Sequence, residues 1–332
     1  MPTVLYPEVM YEGDAEERRI FGPDTTILLR DVPTLADLSD ADCAAADGLM
    51  LFRQWLGAAD FPRFPKLRAV VRMGVGYDRI DRAAAARHGV TVCNVPDYGT
   101  TEVADHAIAL AVALRRGLML HHESQRGPNP PWAAIKDPVM RRFSAQGFGI
   151  VGLGRIGTAV ALRAKALGFR VSFYDPKLPN GVELALGLTR APTLAALMST
   201  SDVLSIHVPA TRDTAGLIGA TQFAALPPGA VVVNTARGGT MDFDALAAAM
   251  RSGHVAAAGL DVMPIEPPVE PIPELLRAYR AREAWLEGRL IVTPHSAYWT
   301  PEADWDIRIK SAETMRAALT NAPQNVIRPE DD

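Results

Sequence analysis

Three short blocks hold the side chains best suited to moving a proton beside an anion. They are Asn234-Thr235-Ala236-Arg237-Gly238-Gly239, then Gly259-Leu260-Asp261-Val262 with Glu266 just beyond, then Thr293-Pro294-His295. Arg237 and Glu266 are 29 residues apart, and Glu266 and His295 are again 29 apart. Reducing a 2-keto acid needs a hydride at the carbonyl carbon and a proton at its oxygen. A histidine exchanges that proton near neutral pH. A carboxylate beside the ring favours the imidazolium and fixes its orientation. An arginine offers a fork of donors to the carboxylate and carbonyl of such a substrate. Singly, each residue has a plainer role: an arginine in a surface ion pair, a solvated glutamate among prolines, a histidine capping a loop. What sets them apart is that each block ends a run of strand-forming residues.

Those runs are the elements that must place the three side chains. They cover residues 3–6, 47–52, 67–74, 148–152, 170–175, 203–208, 230–236, 257–262 and 290–295. Several are near-continuous in apolar residues, the pattern of strands covered on both faces. Helical stretches at 104–117, 157–168 and 242–253 alternate with them. This pattern predicts an α/β fold of two Rossmann-like or flavodoxin-like domains with parallel sheets. Ligands of open α/β sheets bind beyond the carboxyl ends of the strands, so the three blocks should converge. The expected domains are residues 1–100 with 299–332, for substrate, and residues 101–298, for a cofactor. The active site is expected in the cleft between them.

The cofactor is read from Gly152-Leu153-Gly154-Arg155-Ile156-Gly157, which follows the apolar run FGIV and opens a helical stretch. The first glycine allows a tight turn, the second lets backbone approach a pyrophosphate, and the third lets the helix pack against the sheet. The phosphates would meet the unpaired N–H groups and positive end of that helix, around Arg155 and Ile156. Asp175 ends the next run, 18 residues after Gly157. A carboxylate there accepts from the ribose hydroxyls and repels a 2′-phosphate, which favours NAD(H) over its phosphorylated form. On the other side of the expected cleft, glycines 74 and 76 in Arg72-Met73-Gly74-Val75-Gly76 would let backbone N–H groups face an anion.

Composition narrows the field. A net charge of −4 over 332 residues argues against a nucleic-acid partner held by phosphate neutralisation. Two cysteines, Cys43 and Cys93, give neither a disulfide framework nor a cysteine-based zinc site, and no metal is expected. The N-terminal residues lack a signal-peptide pattern, and the apolar run 107–114 is too short to span a bilayer. A cytoplasmic setting without membrane contact is therefore expected. Residues 123–140, with four prolines, read as a connection whose Trp132 packs into a neighbouring surface. Residues 267–289, with four prolines and then an amphipathic helix, read as a surface insertion at a possible subunit contact. Residues 329–332 are expected to fray.

Residues 67–320 resemble the D-isomer-specific 2-hydroxyacid dehydrogenase family, through VGLGRIGTAVALRAKALG, NTARGG, GLDVMPIEPP and TPHSA in that order. The resemblance implies that Arg237 binds substrate, that Glu266 pairs with His295, and that His295 is the acid/base. It implies that Asp261 contacts the nicotinamide carboxamide, and that His207, Pro209, Thr235, Ala236, Arg237 and His295 line the cofactor. It also places the substrate carboxylate on Val75 and Gly76. Formate dehydrogenases of the same superfamily carry glutamine where Glu266 stands, which argues against formate oxidation. Within the family, VVRMGVGYDRID, VTVCNVPDYG, AVALRAKALGF and FYDP are similar to the C-terminal binding protein branch. That likeness gives Arg72 a reach to the substrate carboxylate. It puts Tyr298 where the branch has tryptophan, and Leu51 where it has tyrosine, so the branch's substrate preference does not carry over.

The implied function is an NAD(H)-dependent D-2-hydroxyacid dehydrogenase, or 2-ketoacid reductase, on a small acid, working as a homodimer. The alternatives are an NAD-sensing binding protein of the C-terminal binding protein type and a phosphoglycerate- or hydroxypyruvate-type dehydrogenase. The intact Arg–Glu–His set favours the enzyme.

Overall fold

Strands apolar along their whole length can be satisfied only when both faces are covered, and every strand pair here is parallel. The computed structural model describes residues 1–331, and the chain forms two compact units. One is Met1–Gly99 with Trp299–Asp332, the other Thr100–Tyr298. Asp332, the last residue expected in the substrate domain, lies outside the described residues. Pro329–Asp331, expected to fray, form a 3-10 turn.

In the first unit the strands are β1 (Thr3–Tyr6), β2 (Thr26–Leu29), β3 (Gly48–Leu51), β4 (Ala69–Arg72) and β5 (Thr91–Asn94). Their order is β2-β1-β3-β4-β5, a flavodoxin-like arrangement. The helix Pro301–Leu319 returns from the far end of the chain to cover this sheet, capped by the Thr300 hydroxyl on Ala303 N–H at 3.0 Å. A Cβ at Gly48 would stand 2.6 Å from Met315 Sδ, so a larger residue there would have to push the methionine side chain of that helix aside. The buried Glu17 carboxylate is met by Arg308 of the same helix at 2.7 Å.

The second unit holds β6 (Gly147–Val151), β7 (Arg170–Tyr174), β8 (Thr189–Arg190), β9 (Val203–Ile206), β10 (Ala230–Asn234), β11 (Val255–Leu260) and β12 (Leu290–Val292). The order is β12-β11-β10-β9-β6-β7-β8. Chain direction across the sheet reverses between β6 and β9, the switch point where such sheets take ligands. One face packs the helices Thr100–Arg115 and Arg155–Ala166 over Phe148, Ile150 and Val231. The other packs Phe223, Leu246 and Leu275 over Leu204, Val232 and Leu260. Phe148 and Phe173 are fully buried, and each such side chain contributes about 1.5–3 kcal/mol by burial. No helix among the described residues is long and apolar enough to cross a membrane.

Three expectations need correction. The segment 123–140 is not all loop, because the helix Leu118–Gln125 enters it. Trp132 does not pack: it is 95% exposed. The segment after Glu266 is not a surface insertion. Its helix Glu274–Arg280 buries Leu275, Leu276 and Ala278 in the core over β10 and β11, and Ile272 and Leu286 join them.

Candidate active site

Gly157 begins the geometry. A Cβ there would lie 2.1 Å from the carbonyl oxygen of Gly152, a backbone atom that cannot yield, so only glycine lets the helix Arg155–Ala166 start against the end of β6. At Gly154, the N-cap, a Cβ would meet nothing within 4 Å, and no side chain caps the helix. The turn thus presents open space in front of unpaired helix-start N–H groups, the arrangement that takes a phosphate. Asp175, just past β7, accepts from Leu153 N–H at 2.9 Å and from Lys177 N–H at 3.0 Å. The carboxylate is tied to the turn by two bonds, and its remaining lone pairs can still accept hydroxyls.

Across the switch point, the His207 ring is turned inward to Ser205 Oγ at 2.7 Å. Burial pushes its pKa down to about 3, so it is a neutral ring with one fixed partner. Pro209, exposed two residues on, accepts from the Thr214 hydroxyl through its carbonyl at 2.5 Å. After β10, Ala236 N–H donates to Asn234 Oδ1 at 3.0 Å. Thr235 is buried, and its hydroxyl has no partner among the described residues. A buried hydroxyl without a partner is costly. With the open turn at Gly154, it fits a bound dinucleotide as the missing partner.

The Arg237 loop and the Glu266 loop are pressed together at Gly238, where a Cβ would stand 2.1 Å from the Met263 carbonyl carbon and 2.5 Å from Pro264 N. Glu266 Oε1 accepts from Met263 N–H at 2.8 Å, and Oε2 faces His295 Nδ1 at 2.6 Å. A carboxylate only accepts, so Nδ1 carries the shared proton and Nε2 is left for another partner. Burial pushes the Glu266 carboxyl up. The His295 hydrogen bond and charge, Met263 N–H and the Arg237 charge outweigh it, and the group sits below its ordinary range. A depressed carboxyl stabilises the fold above its unfolded pKa and loses that contribution as pH falls through the folded value. The melting-temperature gap between wild type and Glu266→Gln is therefore expected to be full above pH 4.5 and to close below it. A gap unchanged down to pH 3 would show that the charge of Glu266 contributes nothing.

His295 has φ of +51°, in the left-handed region that non-glycine residues seldom occupy. What holds it there is Asp261. This residue is 1% exposed and takes three bonds on its carboxylate: Thr293 Oγ1 at 2.6 Å, Ser296 N–H at 2.9 Å and Ala297 N–H at 3.0 Å. Its carbonyl accepts from His295 N–H at 2.7 Å. Asp261 thus organises the histidine loop, a role that motif reading did not supply. Tyr298 stands edge-on to the His295 ring with centroids 6.3 Å apart.

In the first unit, Arg72 ends β4 and lies over the Phe52 ring at 5.7 Å, with Nη1 donating to the Met73 carbonyl at 2.7 Å. Asn94 Nδ2 holds the Val75 carbonyl at 2.6 Å, and the N–H groups of Val75 and Gly76 have no acceptor among the described residues. Motif reading missed Glu8, whose carboxylate gathers the N–H groups of Phe52, Arg53 and Gln54 at 2.9, 2.8 and 3.3 Å. It lies 44 residues from Phe52 in the chain, so no local pattern could have pointed to it.

Comparison with known proteins places the chain in a family. The chain is 37% identical over 334 residues to D-3-phosphoglycerate dehydrogenase of Mycobacterium leprae, covering 96% of this chain and 57% of that protein. It thus spans little more than half the length of that relative. It superposes on a glyoxylate reductase from Paecilomyes thermophila with TM-score 0.86 and 25% identity, over 100% of this chain and 99% of that one. It also superposes on an NADPH-dependent glyoxylate/hydroxypyruvate reductase from Sinorhizobium meliloti, in complex with NADP and malonate, with TM-score 0.82 and 28% identity, over 98% and 96%. The family model for the D-isomer specific 2-hydroxyacid dehydrogenase NAD binding domain matches residues 108–297, and the chain belongs to that family.

Proposed function

We propose that the protein is an NAD(H)-dependent dehydrogenase of small D-2-hydroxy acids, working as a 2-ketoacid reductase or in reverse. The observation that carries this is the 2.6 Å Glu266–His295 pair beside Arg237. When bound, the nicotinamide supplies or removes the hydride. His295 Nε2 gives the carbonyl oxygen its proton, or takes it from the hydroxyl in the oxidative direction. Glu266 holds Nδ1–H and steadies the positive ring. Arg237 holds the substrate's carboxylate and carbonyl, and Arg72 with the N–H groups of Val75 and Gly76 forms a second anion-binding set. Asp261 accepts from the nicotinamide carboxamide with the lone pairs that the histidine loop leaves. His207, Pro209, Thr235 and Ala236 line the cofactor, and Tyr298 walls the substrate beside His295.

The test is direct. With NADH, the purified protein is expected to reduce at least one of glyoxylate, hydroxypyruvate, pyruvate, or a branched or aromatic 2-keto acid, with loss of absorbance at 340 nm. No turnover on any of them would sink the reading. The protein is further proposed to be cytoplasmic and homodimeric, and light scattering that returned a monomer would remove the dimer.

Asp175 supports NAD over NADP, unlike the NADPH-dependent Sinorhizobium reductase. Asp175→Ser is expected to raise kcat/KM with NADPH relative to NADH by about tenfold, the size of one lost charge contact near a phosphate. An unchanged ratio would mean that another group reads the ribose.

A further inference from the structure

The helix Thr100–Arg115 carries a histidine that the proposed reaction does not use. His106 Nε2 lies 3.0 Å from Thr293 Oγ1, and Thr293 Oγ1 donates to Asp261 Oδ1 at 2.6 Å. The hydroxyl has one proton, and the carboxylate takes it. His106 Nε2 must then be the donor of the other bond, which fixes the proton on Nε2. His106 Nε2 also lies 3.9 Å from Asp261 Oδ1, so the ring faces the carboxylate that holds the histidine loop. Three elements therefore meet in one chain of bonds: the helix Thr100–Arg115, the end of β11 and the loop after β12.

We propose that His106 is a positioning residue for His295, acting through Thr293 and Asp261; this rests on the function proposed above. The Thr293 hydroxyl proton can turn about the Cβ–Oγ1 bond. With His106 donating to it, the one orientation left sends its proton to Asp261. The carboxylate then has three donors from the loop that carries His295. Without His106, the hydroxyl is free to turn away, and the loop loses one of the bonds that keep His295 at its positive φ. An error of about 1 Å in a reacting group can cost on the order of 100-fold in rate, so a partly loosened loop is expected to cost about tenfold.

His106→Leu removes the donor while keeping an apolar body in its place, and His106→Gln keeps an N–H near the ε position. On the 2-keto acid that wild type reduces fastest, His106→Leu is expected to lower kcat about tenfold. KM for NADH and the melting temperature should stay near wild type. His106→Gln should recover most of the rate. Thr293→Val should match His106→Leu, and the double variant should be no worse than either. A wild-type kcat in His106→Leu, a His106→Gln as slow as the leucine variant, or losses that multiply in the double variant would each overturn the proposal.

A wild type that reduces no 2-keto acid sinks the proposed function instead. The bond chain then stands or falls on nitrogen-15 NMR of the imidazole. An Nε2–H ring at His106 that loses its slowly exchanging proton in Thr293→Val supports the chain. An Nδ1–H ring, or a proton that exchanges equally in both proteins, overturns it.

Discussion

His295→Ala is expected to lower kcat for 2-ketoacid reduction by about 10³-fold, with NADH binding retained. The magnitude follows from what the residue is asked to do. General acid catalysis by a positioned side chain contributes about 10²–10⁴-fold, and His295 has a fixed ring and a second nitrogen proposed to face the substrate. Cofactor binding should survive because most of the groups proposed to hold a dinucleotide, at the Gly154 turn, Asp175 and Thr235, do not depend on the imidazole. The variant leaves Glu266 without its ring partner, but Met263 N–H and the Arg237 charge still face that carboxylate. Single-turnover kinetics with NADH, beside a fluorescence titration of NADH, separates the two effects. A variant that turns over at the wild-type rate removes His295 from the proton step. One that no longer binds NADH shows that the histidine loop also shapes the cofactor site.

The second large effect is on stability. Arg115→Met is expected to destabilise the second unit by about 3–5 kcal/mol. Arg115 is fully buried, and its guanidinium donates to the carbonyls of Gly229 at 3.0 Å, Val139 at 3.3 Å and Asp202. Burial lowers its pKa to about 10, against the pull of Asp202, so it remains charged at neutral pH. Methionine fills much of the same volume, so packing loss is modest. The loss comes from the Gly229 and Val139 carbonyl oxygens left without donors inside the protein, and from the Asp202 carbonyl, which keeps only Val231 N–H at 2.9 Å. For a unit of this size such a loss lowers the melting temperature by about 10 °C. A shift of only one or two degrees would mean that water replaces the guanidinium at no real cost.

The strand ends that carry the proposed site were legible because they depend on local order. A strand, a turn and a helix start lie within a dozen residues, and the glycine turn, Asp175, Arg237 and His295 each sit at such a boundary. The long apolar strands β6, β9 and β10 were legible for the same reason. The short edge strands β2, β5 and β8 were not: TILL and TVCN are brief and partly polar, and Thr189–Arg190 is a two-residue pairing. Whether an amphipathic helix after prolines covers a core or faces water depends on what lies opposite. The segment 267–289 therefore read as surface, although Leu275 and Leu276 are buried. The Asp261 network was hidden differently. Its partners lie 32 to 36 residues away, and only the parallel pairing of β11 with β12 brings them together.

The first unit is made from both ends of the chain, with the helix Pro301–Leu319 covering β3, β4 and β5. The whole of the second unit lies between those segments in sequence. On a ribosome the second unit is therefore complete, as one continuous stretch, before the first can close. Until that helix emerges, the five-stranded sheet keeps one apolar face uncovered, and that half-finished sheet is the species most exposed to aggregation during synthesis. Emergence of the helix Pro301–Leu319 thus governs the yield of folded protein, although none of the proposed catalytic side chains lies on it.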